Sequence, residues 1–143
     1  MDWTENAAAA KAKEHLLALK HLDECRELVK QSYELEVVAE RLRISPESTK
    51  ASASGRVRDL YTFKLADNGP WLFPKWQFYE LGRIPNLRSL LSAVGESVNP
   101  LVFSRFMLMK STDLENDEEC YSPLDWLIRG FEPEPVLMLI RDL

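Results

Sequence analysis

A chain of 143 residues, 45% hydrophobic and 29% charged, is long enough to bury one core and too apolar for wholesale disorder. No apolar run reaches the ~18 residues of a membrane span, and the opening Met1-Asp2-Trp3-Thr4-Glu5 has no basic region before an apolar stretch. The chain is therefore expected in the cytoplasm, away from any membrane, with Cys25 and Cys120 reduced and unpaired. The net charge of −5 is unevenly spread. Residues 46–88 hold seven basic against four acidic side chains, whereas residues 89–143 hold four against ten. A polyanion would be drawn to the middle and repelled by the end, which suggests two faces with different partners.

The expected fold class is mainly α. From about Thr4 to Gln31 the sequence reads as one helix: Thr4 can cap it, Ala7 to Ala10 favour it, and no Gly or Pro interrupts it. Its stripe Leu16, Leu19, Leu22 and Leu28 is compatible both with packing on its own chain and with a homodimer. A short amphipathic helix follows over Tyr33–Ile44, with Val37, Val38, Leu42 and Ile44 on its inner face and the small Ala39 at a crossing point. Ser45 as N-cap and Pro46 at the first helical position start another helix, closed by Gly55. Two short helices about a tight turn are the layout of a helix-turn-helix. Leu60–Leu65 alternates and reads as a strand, Asp67-Asn68-Gly69 as a turn, and Trp71-Leu72-Phe73 as the returning strand stopped by Pro74, making a β-hairpin wing. Helices are expected at about Asn86–Val94, Leu101–Lys110, Pro123–Arg129 and Glu134–Asp142, with an acidic loop over Thr112–Glu119.

Catalysis finds little support. There is no P-loop, dinucleotide-binding glycine pattern or nucleophile elbow, and only five glycines in all, so an enzyme is not expected. His21 and Cys25 share a helix face but lack further ligands, and the acidic run lacks the glycine of a calcium loop, so neither metal nor cofactor is expected. The aromatic run at 71–79 is read as core rather than a base-stacking platform, since Trp71, Phe73, Trp76 and Phe78 suit pinning a small hairpin to helices.

Double-stranded DNA is the partner that the helix-turn-helix layout and the basic middle point to. The expected contacts are Ser48, Thr49, Lys50 and Ser52 on the second helix, with Arg56, Arg58 and Lys64 behind it on the phosphate backbone. That helix carries no arginine or asparagine for bidentate base reading.

The stretch Val38-Ala39-Glu40-Arg41-Leu42-Arg43-Ile44-Ser45-Pro46 and then Trp71-Leu72-Phe73-Pro74-Lys75-Trp76-Gln77-Phe78 resembles the DNA-binding half of Xre/MbcA/ParS-type bacterial antitoxins. Ile84-Pro85-Asn86-Leu87, Asn99-Pro100 and Ser122-Pro123-Leu124-Asp125-Trp126-Leu127 through Val136-Leu137 resemble their toxin-binding domain. The resemblance spans roughly Leu35 to Leu143 and implies a type II antitoxin that represses its own operon and neutralises a cognate toxin of the RES type, which acts on NAD. On that reading residues 1–31 form an N-terminal helix with a dimerisation stripe, 32–80 a winged helix-turn-helix-like DNA-binding region, and 81–143 a helical toxin-binding region. The partner surface is then expected at Trp126, Leu127 and Phe131, edged by Arg129, Arg141 and Leu143. The alternatives are a helix-turn-helix transcriptional regulator without a toxin and a protein-recruiting adaptor that does not bind DNA.

Overall fold

The structure, a computed structural model, describes residues 3–95 and 97–143, with the side chains of residues 3–6 left aside. It is mainly α. Helix α1 runs over Trp3–Lys30, α2 over Leu35–Leu42, α3 over Pro46–Ser54, α4 over Leu87–Ala93, α5 over Pro100–Leu108, α6 over Pro123–Ile128 and α7 over Glu134–Ile140. Each helix expected from the sequence is present. Serine or asparagine side chains cap three of them: Ser45 accepts from Ser48 N–H, Asn99 from Leu101 N–H and Ser122 from Asp125 N–H, each with a proline at the first helical position.

The β structure departs from expectation. Strand β1 (Ser32–Glu34) precedes α2 and pairs antiparallel with β2 (Leu72–Pro74), so Tyr33 leaves the helix expected from residue 33 and lies opposite Phe73. Leu60–Leu65 does not form a strand. Leu60, Tyr61 and Phe63 are buried, but the backbone N–H and C=O of Tyr61 are both taken by the side chain of Gln77 and cannot join a ladder. A single bridge survives, in which Phe63 and Leu72 exchange hydrogen bonds of 2.9 and 3.0 Å around the Asp67-Asn68-Gly69 turn. A two-residue hairpin joins β3 (Phe78–Tyr79) to β4 (Gly82–Arg83).

The acidic segment expected as a loop is a hairpin of β5 (Ser111–Asn116) and β6 (Glu119–Tyr121). Its turn holds Asp117 and Glu118 both at positive φ, 53° and 65°, which is the backbone of a type I′ turn without the usual glycine. Leu114 is fully buried beneath it, so this segment supplies core as well as charge.

Two apolar clusters result. The larger draws Leu28, Tyr61, Trp76, Phe103, Trp126 and Ile140 into one body, crossing the boundary expected near residue 80. Within it Tyr61 stacks on Trp76, ring centroids 6.2 Å apart, and Phe103 meets both edge to face at 4.8 and 5.0 Å. The smaller cluster, Leu35, Val38, Ala53, Leu60 and Phe73, holds α2 against α3. Phe73 and Trp76 are buried as expected of a pinned aromatic run, while Trp71 and Phe78 are half-exposed.

Candidate functional site

The α2–α3 unit is built around a tight crossing. Val38 is fully buried and Ala39 nearly so, whereas Val37, expected on the inner face, is exposed. Its place inside is taken by Leu35 at the first turn of α2. The turn that follows is a Schellman arrangement: Arg43 N–H bonds to Glu40 O at 3.2 Å and Ile44 N–H to Ala39 O at 3.0 Å. Arg43 occupies the left-handed position, φ 56° and ψ 44°, where glycine is the unstrained choice. Its side chain is exposed, immediately before the N-terminus of α3.

On and behind α3 the structure separates the expected DNA contacts. Ser48 and Lys50 are exposed, and Ser52 is half-buried with its carbonyl accepting from Asp59 and Leu60 N–H. Thr49 is fully buried, its hydroxyl donating to Ser45 O at 3.0 Å, so it cannot contact DNA: it sits on the inner face and locks the first turn of α3. Arg56 and Lys64 are exposed. Arg58 is directed inward, donating from Nη2 to Leu91 O at the end of α4 (3.1 Å), and is a structural link between the two halves of the chain rather than a free cation. Among the described residues, Arg43, Lys50, Arg56 and Lys64 make no ion pair with the chain's own carboxylates.

Two arrangements lay outside the sequence reading. Lys50 and Lys64 both approach the ring of Trp71, at 5.7 and 4.9 Å from its centroid, which gathers two cations on one half-exposed indole. Arg41 and Lys75 do the same at Tyr33, at 5.0 and 5.2 Å. Lys50 and Lys64 stand fourteen positions apart on different elements, so no periodicity joins them. Arg43 carries no sequence mark either, since a left-handed φ at an arginine has no signature in the residue type.

The expected partner anchors divide in the same way. Trp126 and Leu127 are buried in the chain's own core; Trp126 packs on Phe131 (4.8 Å) and Tyr121 (6.1 Å), and its Nε1 donates to Glu132 O at 2.7 Å. They hold the fold and are not surface anchors. Phe131 is half-buried, Arg129 is exposed over the Tyr121 ring, and Arg141 and Leu143 are exposed. Between α5, the start of β5 and the end of α7 lies an open groove of about 580 Å³, apolar at Val102, Phe106, Met109 and Leu143 and charged at Arg105 and Asp142. Burial pushes the Tyr121 phenol above its ordinary range, helped by a 3.1 Å bond to Glu119.

His21 Nε2 lies 3.7 Å from Cys25 Sγ, yet among the described residues no third His, Cys, Asp or Glu joins them to hold a metal. None of the described helices is long and apolar enough to cross a membrane. No family model, no curated protein and no solved structure matches the chain.

Proposed function

We propose that this protein is the antitoxin of a type II toxin–antitoxin pair, binding operator DNA as an autorepressor and neutralising a cognate toxin. In this reading α2 and α3 are the helix-turn-helix, and the loop from Lys64 to Pro70, closed by the Phe63–Leu72 bridge, is its wing. The observation that carries it is the set of four exposed cations free of intrachain carboxylates, Arg43 and Lys50 at α3, Arg56 behind it and Lys64 on the loop. Arg43 holds a left-handed backbone that costs about 1 kcal/mol relative to glycine, and such strain is usually retained where a side chain has work to do. Ser48 at the α3 N-terminus adds a hydroxyl beside the positive end of the helix dipole. The C-terminal half takes the toxin, which the sequence resemblance implies is of the RES type, at the Arg141–Leu143 end of α7 and the groove beside it.

The test is a gel-shift titration on the promoter of the protein's own gene over a range of salt. Lys50→Ala, Arg56→Ala and Lys64→Ala combined should flatten the slope of log K against log salt by up to about three units, since each phosphate contact contributes about 0.9. An unchanged slope defeats the DNA half of the proposal. Co-expression with the neighbouring toxin tests the other half, and failure to restore growth defeats it. One observation favours a second reading, a protein-recruiting adaptor: Lys50 is the single cation on α3 itself. Absence of any salt-dependent shift would support that reading.

A further inference from the structure

Leu19 and Leu28 stand nine residues apart on α1, and nine steps of about 100° put them on opposite sides of the helix. Leu28 is buried in the main core, and Glu24 meets Arg105 of α5 at 3.3 Å, so the last turns of α1 lie on the body. The opposite line therefore faces away from its own chain. It carries Leu16, Leu19 and Leu22, which are 66%, 45% and 50% exposed. Ala8 and Ala12 extend it toward the helix start, both exposed. At its other end the line opens into a shallow groove of about 460 Å³, apolar at Leu22, Cys25, Val29 and Leu65. Apolar side chains repeated over several turns, with no intrachain cover, mark an association face.

The charge along α1 says what fits there. Residues 7–20 hold Lys11, Lys13 and Lys20 against Glu14, whereas residues 21–30 hold Asp23, Glu24 and Glu27 against Arg26 and Lys30. The first half is basic and the second half acidic. A like helix running the same way would set the three lysines beside their copies. Running the opposite way, it sets basic half against acidic half and opposes the two helix dipoles.

We propose that α1 pairs with α1 of a second copy of this chain in antiparallel sense, about a two-fold axis near Leu19. Leu16 of each copy then lies against Leu22 of the other. The alanine-rich first half of one helix enters the groove at Leu22, Val29 and Leu65 of its partner, where the small side chains let the backbones approach. The contact is isologous and closes at two chains. Leu65 lies on the loop read as the wing, next to Lys64, but none of the side chains assigned to contact DNA or toxin is used, and the test is made on α1, so it stands or falls independently of that reading.

The full chain is tested in two ways. Sedimentation equilibrium at about 100 µM should give twice the chain mass, and Leu19→Glu should weaken association by more than about tenfold. Leu19 touches no core, so the thermal transition of that variant at low concentration should match the parent. A monomeric parent, or a Leu19→Glu variant that keeps its dimer, overturns the proposal. Direction is read by a short bis-maleimide cross-linker in a Cys25→Ser, Cys120→Ser background. Ala12→Cys mixed with Arg26→Cys should give a crossed dimer, while Ala12→Cys alone should not, because in the antiparallel pair Ala12 faces Arg26 and the two copies of Ala12 lie about 21 Å apart along the axis. A dimer formed by Ala12→Cys alone identifies parallel pairing and overturns the antiparallel arrangement.

Discussion

The side-chain amide of Gln77 grips the backbone of Tyr61 on both sides: Oε1 accepts from Tyr61 N–H at 2.8 Å, and Nε2 donates to Tyr61 O at 2.7 Å. Nε2 also reaches Pro74 O at 3.2 Å, and the whole residue is buried. Gln77→Leu keeps the volume but strands a buried donor and acceptor, each costing about 1–3 kcal/mol. We expect a loss of about 3 kcal/mol, read as a lowered urea midpoint with the slope unchanged. A midpoint within error of the parent would show that water replaces the amide.

Burial raises the Tyr61 phenol well above its ordinary range, against a smaller downward pull from Arg58. The folded state therefore favours the neutral phenol. Its contribution is intact below about pH 10, where the unfolded tyrosine begins to ionise, and is lost as pH climbs toward the raised folded value. Tyr121 is raised in the same direction. Stability should fall above about pH 10. Tyr61→Phe should make that fall shallower, and an unchanged alkaline profile would contradict the assignment.

Arg58 and Lys50 should separate cleanly. Arg58→Ala removes the donor to Leu91 O and should lower stability by about 1–2 kcal/mol while leaving the salt slope of DNA binding alone. Lys50→Ala should do the reverse. A slope change in Arg58→Ala would restore it to the DNA face.

Arg43→Gly relieves a left-handed backbone and should raise stability by about 0.5–1 kcal/mol. If the arginine serves DNA, the more stable variant binds its operator more weakly. Equal or tighter binding would remove Arg43 from the interface.

Trp126→Ala should destabilise the fold by about 3–5 kcal/mol, since it empties a buried site and leaves Glu132 O without its donor. Removing Asp142 and Leu143 should barely move the thermal midpoint yet reduce toxin neutralisation. Full neutralisation by the shortened chain would shift the toxin surface toward the acidic hairpin.

The helices were legible because their signals are local: Ser45-Pro46, Asn99-Pro100 and Ser122-Pro123 each place a cap and a fixed φ within two residues. The strands were not. β1 pairs with a segment forty positions away, and Leu60–Leu65 has the composition of a strand but loses its ladder to a glutamine side chain sixteen residues on. The β5–β6 turn hid because Asp117 and Glu118 take a backbone that ordinarily announces itself with glycine. At the site, exposure of Ser48 and Lys50 follows from helix period, but the inward turn of Arg58 depends on Leu91, thirty-three residues away. Trp126 and Leu127 had the residue types of an interface anchor and of a core alike, and only packing separates those two fates.

The indole of Trp71, half-exposed with Lys50 and Lys64 at its face, contrasts with the buried rings of Trp76 and Trp126. With the fourth tryptophan removed as Trp3→Phe, its emission should therefore respond to what those lysines hold, while the two interior tryptophans stay constant. The chain thus carries its own optical gauge of occupancy. A polyanion that draws either ammonium off the ring changes the colour and intensity of one tryptophan and needs no attached dye.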